Sequence, residues 1–335
     1  MADDAMKTDR LVTVFGGSGF VGRHVVRALA RQGWRIRVAS RRPDLAFHLQ
    51  PLGRAGQIHA VQANIRYPES VAHAARDAQA VINLVGIMHQ HGAQSFDSLH
   101  HIGAQTVAKA AKNAGSEVLV QMSALGADPA SSSLYAQTKA FGEAAVRQVF
   151  PEVIILRPSV IFGPEDQFFN RFAAMARFLP ALPLIGGGTT KFQPVFAGDV
   201  ASAIALAADG KAKPGTIYEL GGPEVATMRR ILTFVLEVTG RRRRLVPISF
   251  ATARTVAAVT SLLRKLTLGL FPEILTLTPD QVTLLREDNI VSAKAEAEGR
   301  TLAGLGITPE PFETFVPSYL YRYRKTGQFA GTRAI

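Results

Sequence analysis

The chain has 335 residues, 47% of them hydrophobic, which is ordinary for a folded protein and excludes a disordered or collagen-like chain. It has no cysteine, which excludes disulfides, cysteine-ligated zinc, iron–sulfur clusters and a thiol nucleophile. The formal net charge of +12 raises nucleic acid, an acidic protein or a membrane surface as a partner, depending on where the charge lies.

Short apolar runs alternate with helical periodicity through the first 160 residues. We predict strands at Leu11–Phe15, Arg35–Ser40, Ile58–Gln62, Ala80–Val85, Glu117–Met122 and Val153–Pro158, and helices at Val21–Gln32, Glu69–Arg76, Ser98–Asn113 and Ser133–Gln148. Because parallel strands need crossover connections, this alternation predicts an α/β fold with a doubly wound parallel sheet of the Rossmann type.

The pattern loosens after Phe162. A short apolar piece at Pro194–Phe196, a helix from Asp199 and a strand at Thr216–Leu220 return the chain to the sheet, and from Thr227 the pattern is mostly helical. We therefore expect a Rossmann domain at residues 10–165, completed by about 193–222. We expect a smaller, mostly helical C-terminal lobe for substrate or docking at 166–192 and 223–330, over the edge where open α/β sheets bind ligands.

Three glycines, Gly16, Gly19 and Gly22, follow the first predicted strand and open the first predicted helix. In a dinucleotide-binding loop, one glycine makes the tight turn, one lets the backbone approach a pyrophosphate, and one lets the helix pack on the strand. The helix N-terminus supplies N–H groups and a positive dipole end for phosphates. We predict a dinucleotide site, against a merely structural turn, at Gly16, Gly17, Ser18, Gly19, Phe20, Val21 and Gly22.

The end of the second strand distinguishes NAD from NADP. NAD-binding proteins usually carry an acidic residue there for the ribose 2′-hydroxyl, whereas this chain has Ser40, followed by Arg41 and Arg42. A hydroxyl and two guanidiniums bind a 2′-phosphate, and no carboxylate at that position repels it. We predict NADP(H); the alternative is two exposed arginines in a loop.

Two further strand ends are expected to contact the cofactor. Asn64 and Ile65 follow the third strand, where the adenine edge is normally contacted, and Leu84, Val85 and Gly86 end the fourth. Both segments are also compatible with simple turns at strand ends.

A serine, a tyrosine and a lysine lie at spacings that suit carbonyl chemistry. Tyr135 and Lys139 are four residues apart in a predicted helix and share a face, and Ser123 ends the preceding strand. A tyrosine is a poor base at neutral pH, and a nearby ammonium lowers its pKa. The serine can hydrogen-bond a substrate carbonyl, and the lysine can hold a ribose. The alternative is a helix surface pair.

These motifs together resemble the extended short-chain dehydrogenase/reductase superfamily of nucleotide-sugar epimerases and dehydratases. The residues that carry the resemblance are Gly16–Gly22, Asn83–Gly86, Ser123, Tyr135, Lys139 and Leu156–Pro164. More narrowly, four stretches are similar to the atypical branch that contains the nucleotide-binding accessory subunit of respiratory complex I (alpha subcomplex subunit 9) and its bacterial relatives: Met122–Asp128, Tyr135–Glu143, Phe162–Phe172 and Gln193–Val200.

The resemblance runs from about residue 10 to about residue 330 and is more specific in the first 200 residues. It implies a Rossmann fold with tightly bound NADPH and, for the complex I member, a docking or structural role in place of demonstrated turnover. It also implies that the cofactor is lined by Met122, Pro158, Ser159 and Ile161.

One position departs from the family pattern. Extended reductases often carry an asparagine of a proton-relay tetrad in the helix after the fourth strand, and the matching residue here is His100. A histidine can also relay protons, so the change weakens the usual mechanism without removing it. The cluster His89, His91, His100 and His101 has no acidic or thiolate partner at ligand spacing, so we predict no metal site.

The positive charge is concentrated late in the chain. Residues 229–265 contain nine basic side chains and one acidic side chain, Glu237, and the tail from Tyr321 adds four basic ones. One interpretation is a solvated basic loop with cations at helix ends. The other is a docking patch for anionic lipid or an acidic protein such as respiratory complex I. No zinc finger, recognition helix or RNA motif accompanies the charge, so we predict no nucleic acid.

Neither targeting nor membrane spanning is predicted. Met1–Arg10 is short and acidic, unlike a signal peptide, and the apolar stretches fall short of the roughly 18 residues that a membrane helix needs. Ile248–Leu270 is interrupted by Arg254, Arg264 and Lys265, as in an amphipathic helix that lies on a surface. We expect a cytoplasmic protein, peripheral at the inner membrane face if it docks there.

Three function classes follow from these features. The first is a cofactor-loaded NADP(H)-binding protein that docks on a respiratory complex or membrane surface. The second is an active NADP(H)-dependent oxidoreductase or epimerase acting on a carbonyl or sugar-like small molecule, with Tyr135 as acid/base, Ser123 as carbonyl donor and Lys139 as ribose anchor. The third is an NADP(H)-sensing regulator.

Overall fold

The computed structural model describes residues 10–267 and 276–325. Most of the acidic Met1–Arg10 segment, the end of the Ile248–Leu270 stretch and the tail beyond Lys325 lie outside the described residues. No helix within the described ranges is both long and apolar enough to cross a bilayer.

Seven parallel strands form one sheet. In the described residues, strands β1 to β13 cover Leu11–Phe15, Arg35–Ser40, Ile58–Gln62, Ala80–Asn83, Val118–Met122, Ile154–Pro158, Ile161–Phe162, Ala181–Ile185, Lys191–Phe192, Val195–Phe196, Ile217–Leu220, Ala226–Thr227 and Arg244–Ile248. The sheet has the order β11-β6-β5-β4-β1-β2-β3 and is parallel throughout. The predicted Rossmann-type α/β fold is confirmed.

Helices connect the strands and cover the sheet. Helices α1 to α12 of the described residues cover Phe20–Arg31, Pro68–Ala75, Ile102–Asn113, Leu134–Val149, Phe169–Phe178, Ala197–Ala208, Met228–Thr239, Phe250–Leu266, Pro279–Leu284, Ala293–Ala297, Phe312–Phe315 and Pro317–Leu320. The central strand β4 is buried at every residue because both faces of the sheet are covered.

Two local features differ from the sequence-based prediction. The helix predicted over Ser98–Asn113 begins as one turn of π-helix at Asp97–His101 and becomes α-helical at Ile102. The segment after Thr227, predicted as mostly helical, contains strand β13, which pairs in parallel with β8. That pairing joins residues about 60 positions apart, so local periodicity does not indicate it.

The chain divides into two compact units. The first comprises residues up to Pro158 together with Ala197–Leu220 and Val291–Pro309; the second comprises Ser159–Phe196, Gly221–Ile290 and the chain from Glu310. Val291–Pro309, counted with the C-terminal lobe from sequence, clusters with the first unit. It does so because it covers the free edge of β11: Glu219 N donates to Arg300 O at 2.9 Å, and Arg300 Nη1 donates to Ile217 O at 2.7 Å.

The second unit has its own core. Phenylalanines dominate it: Phe162, Phe169 and Phe312 are fully buried, with Leu182 and Leu184 of β8 packed in the same cluster. A smaller cluster in this unit contains Ala253 and Ala257 of helix α8, which are buried together with Val282.

Candidate cofactor and active site

The glycine loop joins β1 to α1 in the first unit and leaves little room for side chains. Gly16 has a φ of 81°, which side-chain-bearing residues rarely adopt, and its N–H donates to Ala39 O at 3.3 Å. A Cβ at Gly17 would lie 3.1 Å from Val38 Cγ1. A Cβ at Gly22 would collide with Gly16 O and lie 2.5 Å from Gly17 C. The loop therefore brings bare backbone to the carboxyl edge of the sheet.

Helix α1 begins at this loop without a side-chain cap. Its N-cap residue is Gly19, no side chain accepts from its first N–H groups, and its first turn contains no acidic residue. The uncapped N–H groups and the positive dipole end suit a phosphate. Ser18 and Phe20, the other loop positions predicted to bind the cofactor, flank Gly19, and Val21 lies in the first turn of α1.

The predicted 2′-phosphate residues lie where β2 ends and are already partnered. Ser40 Oγ lies 3.4 Å from Ser18 Oγ and accepts from Arg42 N at 3.3 Å. The Arg42 guanidinium forms an exposed ion pair with Asp44, Nη2 to Oδ2 at 2.7 Å, while Arg41 Nη1 donates to Gln94 at 2.7 Å. Sequence reasoning missed Asp44, although it lies only two residues after Arg42.

The third strand's end is a tight turn over the core. Asn64 Oδ1 accepts from Arg66 N at 3.2 Å, and Asn64 N donates to Ser70 Oγ at 3.1 Å. The side chain of Ile65 is buried in the first unit's core. The side-chain amide of Asn64 is thus used by the turn itself.

The fourth strand's end lies against the predicted catalytic residues. Asn83, fully buried, donates to Gln121 Oε1 at 2.9 Å and accepts from Val85 N at 3.1 Å, which fixes the backbone from Leu84 to Gly86. A Cβ on Gly86 would lie 3.3 Å from Lys139 Nζ and 3.7 Å from His100 Nε2. A side chain at this position would therefore contact both groups, which the glycine leaves uncovered on that side.

Ser123 carries a buried hydroxyl that has no hydrogen-bond partner among the residues the structure describes. The residue follows β5 and is held by its N–H, which donates to Leu156 O at 2.7 Å. Its Oγ is buried and makes no hydrogen bond within the described part of the chain. A buried hydroxyl without a partner costs free energy, so this atom is suited to an external acceptor such as a carbonyl oxygen.

Tyr135 is enclosed by two other rings. Its ring packs edge-on against Phe96 with centroids 5.8 Å apart, and edge-on against His100 with centroids 5.3 Å apart. Phe96 and His100 stack on each other at 5.4 Å. Phe96 is the N-cap residue of the π-helical turn and His100 lies within that turn, so this local irregularity places the rings that pack against the tyrosine.

His100 is buried and held in one neutral form. Its Nε2 accepts from Ile87 N at 3.1 Å, so the ring proton belongs on Nδ1, which faces Thr138 Oγ1 at 3.3 Å. Burial and the nearby charge of Lys139 lower the pKa of His100 to about 3. The histidine in the relay-asparagine position is therefore a neutral hydrogen-bonding group at physiological pH.

Lys139 lies under the tyrosine with its ammonium group buried. Nζ lies 5.8 Å from the centroid of the Tyr135 ring and donates to Met122 O at 3.4 Å. Burial lowers the pKa of Lys139 to about 8, and the Glu143 carboxylate opposes that shift. The structure thus brings the lysine, the tyrosine ring, His100 and the backbone of Met122 together.

A buried ion pair beneath Lys139 was missed by the motif search. Glu143, one helical turn after Lys139, accepts from Arg157 Nε at 2.8 Å and Nη2 at 2.6 Å. Glu143 is buried and Arg157 half-buried. The signal was present as a Lys-x-x-x-Glu spacing on one helix face, but its partner lies on β6 and sequence spacing does not connect them.

The remaining predicted contacts divide between the two units. Pro158 ends β6 in the first unit, where its carbonyl accepts from Leu125 N at 3.0 Å. Ser159 and Ile161 belong to the second unit, and Ser159 Oγ donates to Asn289 Oδ1 at 2.7 Å. Within the ranges 10–267 and 276–325, no three histidine, aspartate or glutamate side chains are grouped as metal ligands.

These features fit a dinucleotide cofactor. Gly22 excludes a side chain from the loop, α1 offers uncapped N–H groups, and Ser123 Oγ has no hydrogen-bond partner among the described residues. Carbonyl-directed hydrogen bonding by Ser123, beside a ring-enclosed tyrosine and a buried ammonium, is the chemistry that the arrangement allows.

Curated proteins similar in sequence to this chain include a complex I subunit and a reductase. NADH dehydrogenase (ubiquinone) 1 alpha subcomplex subunit 9 of Arabidopsis thaliana is 35% identical over 328 residues, 96% of this chain and 80% of that protein. The ceramide reductase of Caulobacter vibrioides is 35% identical over 185 residues, 55% of this chain and 56% of that protein.

A solved structure shares the fold. The dTDP-glucose 4,6-dehydratase of Streptomyces venezuelae, whose structure has NAD bound, aligns with a TM-score of 0.67 at 21% identity, covering 93% of this chain and 96% of that one. Residues 12–221 match the model of the NAD dependent epimerase/dehydratase family. The chain belongs to the NAD-dependent epimerase/dehydratase family, and subunit 9 of mitochondrial complex I is among its relatives.

Proposed function

We propose that this chain is an NADP(H)-loaded protein of the short-chain dehydrogenase/reductase type that docks on respiratory complex I or on a membrane surface at the inner face. The observation that carries cofactor binding is the loop in which a side chain at Gly22 would collide with the backbone, beside the uncapped start of α1. Docking is supported by the complex I relative, whose similarity extends over 96% of the chain. We assign the cofactor to the first unit and docking contacts to the second.

The preference for NADP(H) rests on the end of β2. Ser40 stands where an NAD-specific acid would lie, and the guanidiniums of Arg41 and Arg42 follow it. A 2′-phosphate carries more charge than the Asp44 carboxylate and presents three acceptor oxygens, so it competes well for Arg42.

The cofactor preference is tested with the double variant Arg41→Ala/Arg42→Ala. We expect its Kd for NADPH to rise at least about tenfold, and its Kd for NADH to change less than about threefold, measured by calorimetric titration. Equal losses for the two nucleotides would overturn the 2′-phosphate assignment. Arg66→Ala, in the neighbouring turn, is the matched control.

A second candidate, an active oxidoreductase or epimerase on a carbonyl or sugar-like substrate, is favoured by the unpartnered Ser123 Oγ. Ser123 would donate to the substrate carbonyl, and the Tyr135 hydroxyl would give or take the proton at that oxygen. The Lys139 ammonium would lower the tyrosine pKa and hold a ribose hydroxyl. When bound, the nicotinamide supplies or accepts the hydride. The ceramide reductase relative supports a reductase role.

The two candidates are separated by one set of measurements. Native mass spectrometry of purified protein reports bound nucleotide and co-purifying subunits, and a carbonyl panel reports NADPH oxidation. Turnover that Tyr135→Phe abolishes with nucleotide still bound, and that the exposed control Tyr67→Phe retains, would establish the enzyme. Bound nucleotide, complex I subunits and no turnover would leave the docking protein alone.

A further inference from the structure

Helix α8 has an exposed apolar side. Val256, Val259, Leu263 and Leu266 are spaced three and four residues apart, so they share one side of the helix. They are 46%, 51%, 40% and 70% exposed, and Leu262 beside them is 56% exposed. Aliphatic side chains this exposed and this regularly spaced on one helix mark a surface that something covers.

The opposite side of α8 already has its packing partners. Ala253 and Ala257 are fully buried in the cluster with Val282. Thr260 Oγ1 and Ser261 Oγ both donate to Leu277 O, at 3.1 and 3.2 Å. The second unit's own core is therefore satisfied by one side of the helix, and the Val256–Leu266 side is available for an external contact.

A cationic cavity lies in the same unit, in the chain leading to α8. Gly240, Arg241, Arg242, Arg243 and Lys325 surround a space of about 320 Å³. Arg241 Nε and Arg243 Nε donate to backbone carbonyls, those of Tyr323 and Ala176, each at 2.9 Å. In the described part of the chain, no carboxylate lies within ion-pair distance of Arg241, Arg242, Arg243 or Lys325.

The electrostatics of this cavity favour an anion. Burial, followed by the charges of Arg243 and Arg177, lowers the pKa of Arg241. Positive charges therefore lie close together at this cavity. Next to Arg177, Phe178 is 70% exposed, with the Arg177 guanidinium over its ring at 5.6 Å. An exposed phenylalanine next to an arginine is a combination found on surfaces that lie at the membrane–water interface.

The stretch of chain that runs from the cavity through helix α8 carries positive charge only. Residues 238–266 contain seven basic side chains and no acidic one. Arg244 and Val246, alternate residues of β13, are both exposed. Glu237, which directly precedes this stretch, lies 3.7 Å from Arg230.

We propose that this basic–apolar surface, defined as the cavity of Arg241–Arg243 and Lys325 together with the exposed side of α8, docks on a bilayer that contains anionic phospholipid. The helix side would enter the interfacial region, and the cavity would hold lipid phosphates. The inference rests on the proposed docking function and gives it a partner.

Lipid fits better than protein on two grounds. A second copy of this chain would bring two surfaces of the same sign together, which opposes association. The exposed side of α8 offers valines and leucines without the aromatic anchors that dominate protein interfaces, whereas aliphatic side chains flanked by arginines suit lipid tails below phosphates.

The test uses the full chain and sedimentation with vesicles. We expect binding to phosphatidylcholine vesicles with about 30% phosphatidylglycerol to be at least about tenfold tighter than to pure phosphatidylcholine, and to weaken as salt rises. Leu263→Gln/Leu266→Gln and Arg242→Gln/Lys325→Gln should each reduce binding about tenfold, because one removes apolar insertion and the other removes charge. Val225→Gln, 53% exposed in the same unit, should bind as the unchanged protein does.

Three results would overturn the lipid assignment. These are no preference for anionic vesicles, binding by both double variants as tight as that of the unchanged protein, or a concentration-dependent dimer that Leu263→Gln/Leu266→Gln abolishes. Native mass spectrometry of each sample reports the bound nucleotide independently. Vesicle binding without nucleotide would therefore count against the proposed function alone, and nucleotide without vesicle binding would count against this surface alone.

Discussion

The candidate cofactor site of the first unit and the basic–apolar surface of the second differ in how far their charged groups are paired within the chain. In the site, Lys139 and His100 are buried among hydrogen bonds, and Glu143 is paired in two hydrogen bonds with Arg157. On the surface, Arg242 and Lys325 have no acidic partner among the described residues. The charges of the site are therefore compensated by the chain itself, whereas those of the surface are left to solvent or to an external anion.

The largest effect is expected from removing one half of the buried ion pair. Arg157→Met leaves the Glu143 carboxylate buried without its counter-charge, which should lower the free energy of unfolding by about 3–5 kcal/mol. The measurement is urea unfolding at neutral pH. Lys294→Met, which removes an exposed pair with Glu298, should change it by less than about 0.5 kcal/mol. Similar small effects for both would mean that the Glu143–Arg157 pair is not closed from solvent.

Lys139→Met should stabilise the nucleotide-free protein. The Lys139 pKa of about 8 lies below its unfolded value of 10.5, so burying the ammonium costs about 3 kcal/mol below pH 8. In the unchanged protein the unfolded state binds more protons between pH 8 and 10.5, so stability rises through that window. The variant should be more stable at pH 7, with the gain lost by pH 10.5, and a gain independent of pH would contradict the assignment.

His100→Gln should reduce the fall in the free energy of unfolding at acidic pH. The folded His100 pKa of about 3 lies below 6.5, so the unfolded state binds the extra proton and stability falls as pH drops from 6.5 toward 3. Between pH 7.5 and pH 5 this amounts to about 2 kcal/mol, which the variant should regain. Urea titrations at the two pH values measure it. His48→Gln, at an exposed position, is the control.

Much of the first unit could be predicted because its signals are local. The glycine triplet follows a strand, and Tyr135 and Lys139 lie one helical turn apart, so the chain order alone indicated a cofactor edge. The Arg157 partner of Glu143 could not be predicted, because β6 and α4 meet only in the fold. Neither could the tautomer of His100, which depends on the backbone N–H of Ile87.

The second unit was less predictable for a related reason. Strand β13 is five residues with a proline inside, and it exists because it pairs with β8. The basic run Arg241–Arg244 was evident from the sequence. The sequence did not show whether these arginines form ion pairs with acidic residues of the same chain. The absence of a carboxylate near Arg242 and Lys325, among the residues described, is a property of the fold.

The smallest predicted effect concerns Asp44, the ion-pair partner of Arg42. Arg42 is exposed, as Arg242 is, but it has an acidic partner, as Arg157 has, because Asp44 accepts from its Nη2 at 2.7 Å. Because a 2′-phosphate has to displace that carboxylate, Asp44→Asn should lower the Kd for NADPH about threefold and leave the Kd for NADH unchanged. Calorimetric titration of nucleotide-free protein measures both, with Asp97→Asn as an exposed control in the same unit. An NADPH affinity that is unchanged or weaker would mean that Asp44 orients Arg42 for the phosphate and does not compete with it.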